Sequence, residues 1–327
     1  MSWRRTVLKN GVLAAHLMPT IVDARTVTGA AGVRIYAESH TSHADASSSQ
    51  TFVLIRGLGS QLIQWPASLV SGLVDRGYRV LVFDNRDSGL SQKCDDTEAA
   101  EGAGAAPASS DYTLDHMAAD VIAVLDAFRV TAAHVFGISL GGAVCQRIAT
   151  LFPSRTLTAF PVMTFAGQAL QHISEEALQT QVFIDLPADA GKTEVVAATA
   201  ASMRFGDCPG FPTPENVIKD LAARCFDRCF CPDGERRQGA AMSRGPSSDR
   251  RASNKTIVCP TLVIHGKDDR LINATGGQEV ADSIPGAELL LVAGMGHSIS
   301  EGLGDWMAGQ VHDFVQRRVI RPDSSRL

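Results

Sequence analysis

A serine flanked by glycines sits where an apolar run gives way to a helical one. Ala132-Ala133-His134-Val135-Phe136 leads into Gly137-Ile138-Ser139-Leu140-Gly141, and a helix-like run from Ala143 to Leu151 follows. The pattern is G-x-S-x-G between a strand and a helix. Such a turn is strained, and a side chain on either flank would collide with the adjoining strand and helix. Glycine at Gly137 and Gly141 removes that collision and leaves a serine hydroxyl standing above a sheet.

The remaining pattern supplies that sheet. Phe52 to Ile55, Arg79 to Phe83, Thr158 to Met163, Thr261 to Ile264 and Glu288 to Val292 are short apolar runs that read as strands. Trp65 to Arg76, Leu114 to Phe128 and Leu303 to Arg318 carry helical periodicity, and Thr26 to Glu38 reads as a strand pair around Gly29-Ala30-Ala31-Gly32. His40 to Gln50 and Cys94 to Ser110 read as loops. Strands alternating with helices predict an α/β fold, a mostly parallel sheet with helices on both faces. From about Gly167 to Ser253 the alternation breaks. Helical patches at Glu175 to Gln181 and Asn216 to Cys229, with Pro209-Gly210-Phe211-Pro212 between them, predict a helical cap over the carboxyl edge of the sheet. The expected organisation is a core of residues 26–166 and 254–327, a cap of 167–253, and an N-terminal extension or leader of 1–25.

The chain has 327 residues, 45% of them hydrophobic, enough for one sizeable core. Its net charge of −5 does not favour a nucleic-acid partner. The basic cluster Arg224, Arg228, Arg236, Arg237, Arg244, Arg250, Arg251 and Lys255 is interleaved with acids and reads as a solvated helix face. The seven cysteines form no C-x-x-C pair, which argues against zinc; free buried thiols are expected, with a disulfide through Cys208 or Cys231 left open. No run is long and apolar enough to span a membrane. Arg4-Arg5-Thr6-Val7-Leu8-Lys9 resembles a twin-arginine export signal, and Val22-Asp23-Ala24 is a candidate cleavage site. Export and a cytoplasmic location with an amphipathic extension are both open.

A serine hydroxyl needs a base within hydrogen-bond reach, and the base needs an orienting group. Of nine histidines, His297 stands out, in the glycine-lined Gly294-Met295-Gly296-His297 directly after the last strand. His265 ends a buried strand and reads as a satisfied structural histidine; His134 reads as packing. The acid is expected after the strand Thr261 to Ile264, where Asp268 and Asp269 are neighbours and only one can face His297. The residues after Met163 carry no carboxylate. The chain order is then Ser, Asp, His. An oxyanion needs two donors, for which the backbone N–H groups of Leu140 and of Leu58, in Arg56-Gly57-Leu58-Gly59-Ser60, are the candidates. Asp84-Asn85-Arg86-Asp87-Ser88-Gly89 reads as a turn held by hydrogen bonds and ion pairs.

With Trp65-Pro66, Phe83-Asp84-Asn85-Arg86-Asp87-Ser88-Gly89-Leu90-Ser91, Pro209-Gly210-Phe211-Pro212, His265-Gly266-Lys267-Asp268-Asp269 and Gly294-Met295-Gly296-His297 added to the serine turn and Arg56-Gly57-Leu58-Gly59, the chain resembles the α/β-hydrolases of the aclacinomycin methylesterase-like group. The resemblance runs from about Thr26 to Val319. It implies Ser139 as nucleophile, Asp269 as acid, His297 as base, and Leu58 and Leu140 as oxyanion donors, with no metal or organic cofactor. The chain departs from the family at Arg56, where histidine or an apolar residue is usual, at Arg270 in place of proline, and at Leu140 in place of methionine.

The expectation is a serine esterase acting on small carboxylic esters, methyl or short-acyl, with Met203, Phe205, Phe211 and Phe226 of the cap as candidate pocket residues. Lactone, thioester or carbon–carbon bond hydrolysis would use the same three groups. A ligand-binding, receptor-like homologue is the alternative of a different class.

Overall fold

The computed structural model describes residues 21–42, 50–95, 110–168, 171–180 and 186–320. The twin-arginine-like stretch and most of Cys94 to Ser110 lie outside the described residues. The described strands are β1 Ile21–Thr28, β2 Arg34–His40, β3 Thr51–Ile55, β4 Arg79–Phe83, β5 Ala133–Ile138, β6 Thr156–Val162, β7 Leu262–Gly266 and β8 Glu288–Val292. They form one sheet in the order β1-β2-β4-β3-β5-β6-β7-β8. Only the β1–β2 and β2–β4 pairings are antiparallel. The helices are α1 Ala67–Asp75, α2 Leu114–Ala127 and α3 Leu140–Leu151, then α4 Glu175–Gln179, α5 Lys192–Phe205, α6 Glu215–Arg228, α7 Pro232–Ser243 and α8 Arg251–Asn254 between β6 and β7, and finally α9 Thr275–Ser283 and α10 Glu301–Val315.

Every residue of β3, β4 and β5 is buried, as central strands covered on both faces require. Alternation divides them between two cores. Val53, Ile55, Leu81 and Phe83 pack with α2, α3 and α9 on one face. Phe52, Leu54, Val80 and Val82 pack with α1 and α10 on the other. The parallel register then sets the edge of the sheet: Ile55 pairs with Gly137, Ile138 with Val162, Val162 with Ile264, and Gly266 with Val292. The carboxyl ends of β3, β5, β7 and β8 therefore stop in line, and the loops carrying Leu58, Ser139, Asp269 and His297 leave from one edge.

Three boundaries differ from expectation. β1 begins at Ile21, so Val22-Asp23-Ala24 lies within a strand paired to β2. Helix α3 begins at Leu140 and runs straight through Gly141 and Gly142. Helices α5, α7 and α9 were not anticipated. Two glycines interrupt α7 and two more open α9, while α5 is an alanine- and threonine-rich segment without a clear apolar stripe.

The basic cluster is only partly a solvated face. Arg224, Arg236, Arg251 and Lys255 are exposed. Arg228 instead pairs with buried Asp84 at 2.6 Å, and Arg237 with buried Asp87 at 2.6 Å. Arg250 is fully buried, donating to the Phe165 and Ser247 carbonyls. These arginines pin the insertion to the core, and the Asp84–Gly89 turn receives two of them. The same turn holds Arg86, which grips Asp120 of α2 through bonds of 2.7 and 2.8 Å. Asp120 also accepts the Ala30 amide at 2.8 Å, tying the β1–β2 connection to α2.

Removing one member of a buried, bidentate pair strands the other charge. Asp120→Ala is expected to lower unfolding free energy by about 3–5 kcal/mol in urea titration. A loss below about 1 kcal/mol would show that Arg86 finds another acceptor.

Candidate active site

Ser139 sits at φ 55° and ψ −119°, a conformation that L residues avoid. Its neighbours explain how it is held there. A Cβ at Gly137 would stand 2.0 Å from the Gly141 carbonyl oxygen, and one at Gly141 would stand 2.2 Å from the Ile55 carbonyl oxygen. The start of α3 thus rests directly on the end of β3, with no side chain between. The Ser139 amide donates to the Val162 carbonyl at 2.9 Å, which ties the turn to β6 as well.

The loop after β3 lies against this turn: a Cβ at Gly57 would be 3.2 Å from Ser139 Cβ. The loop is braced on two sides. Asn85 Nδ2 donates to the Arg56 carbonyl at 3.1 Å. Gln238 of α7 accepts the Gly59 amide at 2.9 Å. The Gln238 side chain is fully buried and also donates to the Arg86 carbonyl and to Ser88 Oγ, at 2.7 and 2.8 Å. Among the described residues neither the Leu58 nor the Leu140 amide has an acceptor. Leu140 is the first residue of α3, so its N–H is one of those that a helix leaves free.

Asp268 and Asp269 diverge. Asp268 is exposed and accepts the Gly294 amide at 2.7 Å. Asp269 is buried and accepts His297 Nδ1 at 2.7 Å through Oδ2. Its Oδ1 accepts the amides of Leu271 and Ile272, both at 2.9 Å. His265 is a partnered structural histidine that also supports the acid: its Nε2 lies 3.0 Å from the Ile272 carbonyl and 3.3 Å from Asp269 Oδ2. Burial alone would push the Asp269 carboxyl up, but His297 and His265 outweigh it and hold the group well below the usual carboxylate range. The loop bearing His297 is clamped by the insertion. Gly210 donates to the Gly294 carbonyl at 2.9 Å, and a Cβ at Gly210 would stand 2.7 Å from Gly294 Cα.

Ser139, Leu58 and His297 line one cavity of about 470 Å³. With Nδ1 engaged by Asp269, the second ring nitrogen of His297 makes no hydrogen bond among the described residues, nor does Ser139 Oγ. Met203, Phe205 and Phe226 of the insertion line the same cavity. Phe211 does not. It packs into the α1–α10 core beside Gly302, because the Gly210–Gly294 contact draws its segment down onto the His297 loop. Three thiols, Cys225, Cys229 and Cys231, also face the cavity, and all the cysteines are free. Among the described residues no cluster of His, Cys, Asp or Glu could hold a metal ion.

Two charged groups in the wall escaped the sequence reading of the pocket. Arg56 was noted only as a departure at the loop, and Glu235 of α7 was counted among the acids of a solvated helix. Glu235 packs on the Leu58 loop, its Oε2 2.7 Å from where a Gly59 Cβ would be, and burial pushes its carboxyl up to about 7. Gln238 and His265 were missed because their roles depend on contacts far apart in the chain.

Residues 50–186 match the family model described as the alpha/beta hydrolase fold. The chain is 27% identical to the rhodomycin D methylesterases DnrP of Streptomyces peucetius and DauP of Streptomyces sp. (strain C5), in each case covering 85% of this chain and 94% of the relative. The chain has the α/β-hydrolase fold. The enol-lactonase from Burkholderia xenovorans LB400 superposes with a TM-score of 0.66 over 90% of this chain and 100% of its own, at 22% identity, a likeness of fold. The strand order, the serine turn at the end of β5 and the edge that gathers the loops are those of an α/β-hydrolase, and the chain is a hydrolase.

The folded protein binds the Glu235 proton more tightly than the unfolded chain does. Stability therefore falls as pH rises from about 4.5 towards about 7, and the penalty is complete above that. Glu235→Gln is expected to stabilise the protein by about 1–3 kcal/mol near pH 8 and to lose that advantage near pH 4. Thermal melts at both pH values test this; an equal gap at the two would mean that the carboxyl is not shifted.

Proposed function

We propose that this protein is a serine esterase cleaving small carboxylic esters, methyl or short-acyl, through an acyl-enzyme. The observation that carries the reading is the 2.7 Å bond from His297 Nδ1 to a buried Asp269, with His297 lining the same cavity as a strained Ser139. In this reading His297 takes the Ser139 proton on Nε2 as Oγ attacks the ester carbonyl. The oxyanion is received in this reading by the amides of Leu58 and Leu140, which have no acceptor among the described residues. Collapse expels the alcohol, protonated by His297. Water, deprotonated by the same nitrogen, then attacks the acyl-enzyme, and collapse of that second oxyanion returns the proton to Ser139 and releases the acid. Asp269 stays ionised throughout and stabilises the imidazolium. His265, through its contacts to Asp269 and the Ile272 carbonyl, is a positioning residue. The insertion of 167–253 serves as the cap, and its Met203, Phe205 and Phe226 bound the space for the substrate. Support for a methyl or short alcohol comes from the names of the two Streptomyces relatives.

Ser139→Ala should fold as wild type yet lose about 10⁶-fold in kcat on p-nitrophenyl acetate, and a fluorophosphonate should label wild type but not the variant. Retained turnover or labelling would move the nucleophile elsewhere. Asp269→Asn should cost about 10⁴-fold by removing the acceptor that fixes the imidazole tautomer. Asp268→Asn loses only the exposed bond to Gly294 and should cost about tenfold at most. Equal losses in the two variants would remove the distinction between the carboxylates.

A further inference from the structure

The strongest electrostatic anomaly in the molecule is Arg56. Among the described residues the buried arginines all have acceptors. Arg79 donates to Ser39 Oγ and the Phe128 carbonyl, Arg86 to Asp120, Arg147 to Asp115, and Arg250 to the Phe165 and Ser247 carbonyls. Arg228, half-buried like Arg56 and on α6 beside this cavity, has Asp84 and Gln61. The Arg56 side chain has no ion pair and no hydrogen bond among the described residues, and its Nε is sealed from solvent without a partner. It stacks on Trp65, over whose ring the guanidinium carbon sits at 4.8 Å. Such stacking orients the guanidinium plane but leaves its N–H groups unsatisfied. Burial draws the guanidinium down to about 10, still charged at neutral pH.

A cation partly withdrawn from water with a sealed, unpartnered N–H is costly, so folded proteins give it a partner or keep it for a ligand. Arg56 lines the cavity that holds Ser139 and His297. It also sits at the start of the Leu58 loop, immediately before Gly57, which lies against Ser139. A group bound by Arg56 would therefore lie within the chamber that receives the reacting ester. The rest of the wall argues against a competing internal partner. Gln61, also in the wall, is spent on the Cys225 and Cys229 carbonyls and on Arg228. Glu235 packs on Gly59 and makes no bond to Arg56. A planar guanidinium with several free donors matches a carboxylate, which it can hold through two parallel bonds.

Resting on the esterase reading, we propose that the preferred substrates are esters bearing a free carboxylate, the half-esters of short dicarboxylic acids being the simplest members, with Arg56 binding that carboxylate while the ester carbonyl reaches Ser139. Arg56 is on this account the residue that sets specificity. It takes no part in bond making.

The test compares the monomethyl esters of succinate, glutarate and adipate with the methyl esters of butyrate, valerate and hexanoate, by acid release at constant pH. Wild type should favour the charged member of at least one pair by about tenfold or more in kcat/KM, as a charge-assisted pair in a dry site gives. Arg56→Met should collapse that ratio to about one, and Arg56→Lys should keep part of it. Glutarate should inhibit p-nitrophenyl acetate hydrolysis by wild type at least tenfold more strongly than glutaramide does. This second readout needs no variant, so it decides the matter even if Arg56→Met fails to fold. A wild-type ratio near or below one with no selective inhibition by glutarate would overturn the proposal, as would an Arg56→Met ratio equal to that of wild type. If neutral esters are cleaved but carboxylates confer no advantage, only the role of Arg56 falls. If wild type cleaves no ester and Ser139 is not labelled, the esterase reading itself falls.

Discussion

The start of α3 rests on the end of β3 as backbone against backbone, and most of the chamber follows from that contact. Because Gly141 brings no side chain between the helix and the Ile55 carbonyl, Ser139 can hold its strained backbone and α3 can start directly behind it. The loop leaving β3 is then forced across the face of the serine turn, carrying Arg56, Gly57 and Leu58 with it. One larger atom at Gly141 would separate helix from strand and move all of these groups at once. The strain at Ser139 persists because β6, through the Val162 carbonyl, and α3, through the bonds to the Ser139 carbonyl, hold the residue from both sides.

Much of this architecture was legible from short-range pattern. Central strands buried on both faces are continuous apolar runs, so β3 and β4 could be read almost to the residue, and the edge strand β8 was legible from its own apolar run. The parallel register then turns chain order into spatial order, and this is why a serine after one strand, an aspartate after a later one and a histidine after the last could be placed at one edge. What was not legible has a common physical character. Helix α7 contains two glycines, so its composition reads as loop; one of them marks a close approach to the core, since a Cβ at Gly234 would stand 2.4 Å from the Asp87 carbonyl oxygen. Arg228, Arg237 and Arg250 look like surface charges until the carboxylates and carbonyls that receive them are brought in from distant segments. Phe211 looks like pocket lining until the neighbouring glycine contact is seen to pull it into the core.

Beside apolar contacts such as that of Phe211, the insertion is joined to the core by buried polar ties. Asp84 and Asp87 are both buried on the core side, and each receives an arginine from a different insertion helix, α6 and α7. Gln238 adds a fully buried amide that joins α7 to the Leu58 loop and to the Asp84–Gly89 turn together. Such contacts are geometrically exacting: the amide must be in place for three partners at once, and each would be left unsatisfied if it were not. The roof of the chamber is thus indexed to the loop that carries the Leu58 amide.

The three thiols in the chamber wall bear on how reagents would act on this protein. Burial pushes Cys225 up to about 11 and raises Cys231 as well, so both are weak nucleophiles at neutral pH and react better as the solution becomes alkaline. An adduct on either would fill space that a substrate must occupy, although neither thiol touches the Asp269–His297 pair. Inactivation by alkylating agents would therefore report obstruction of the chamber, and shielding by a bound ligand would report occupancy. Neither result would identify a cysteine as the attacking group.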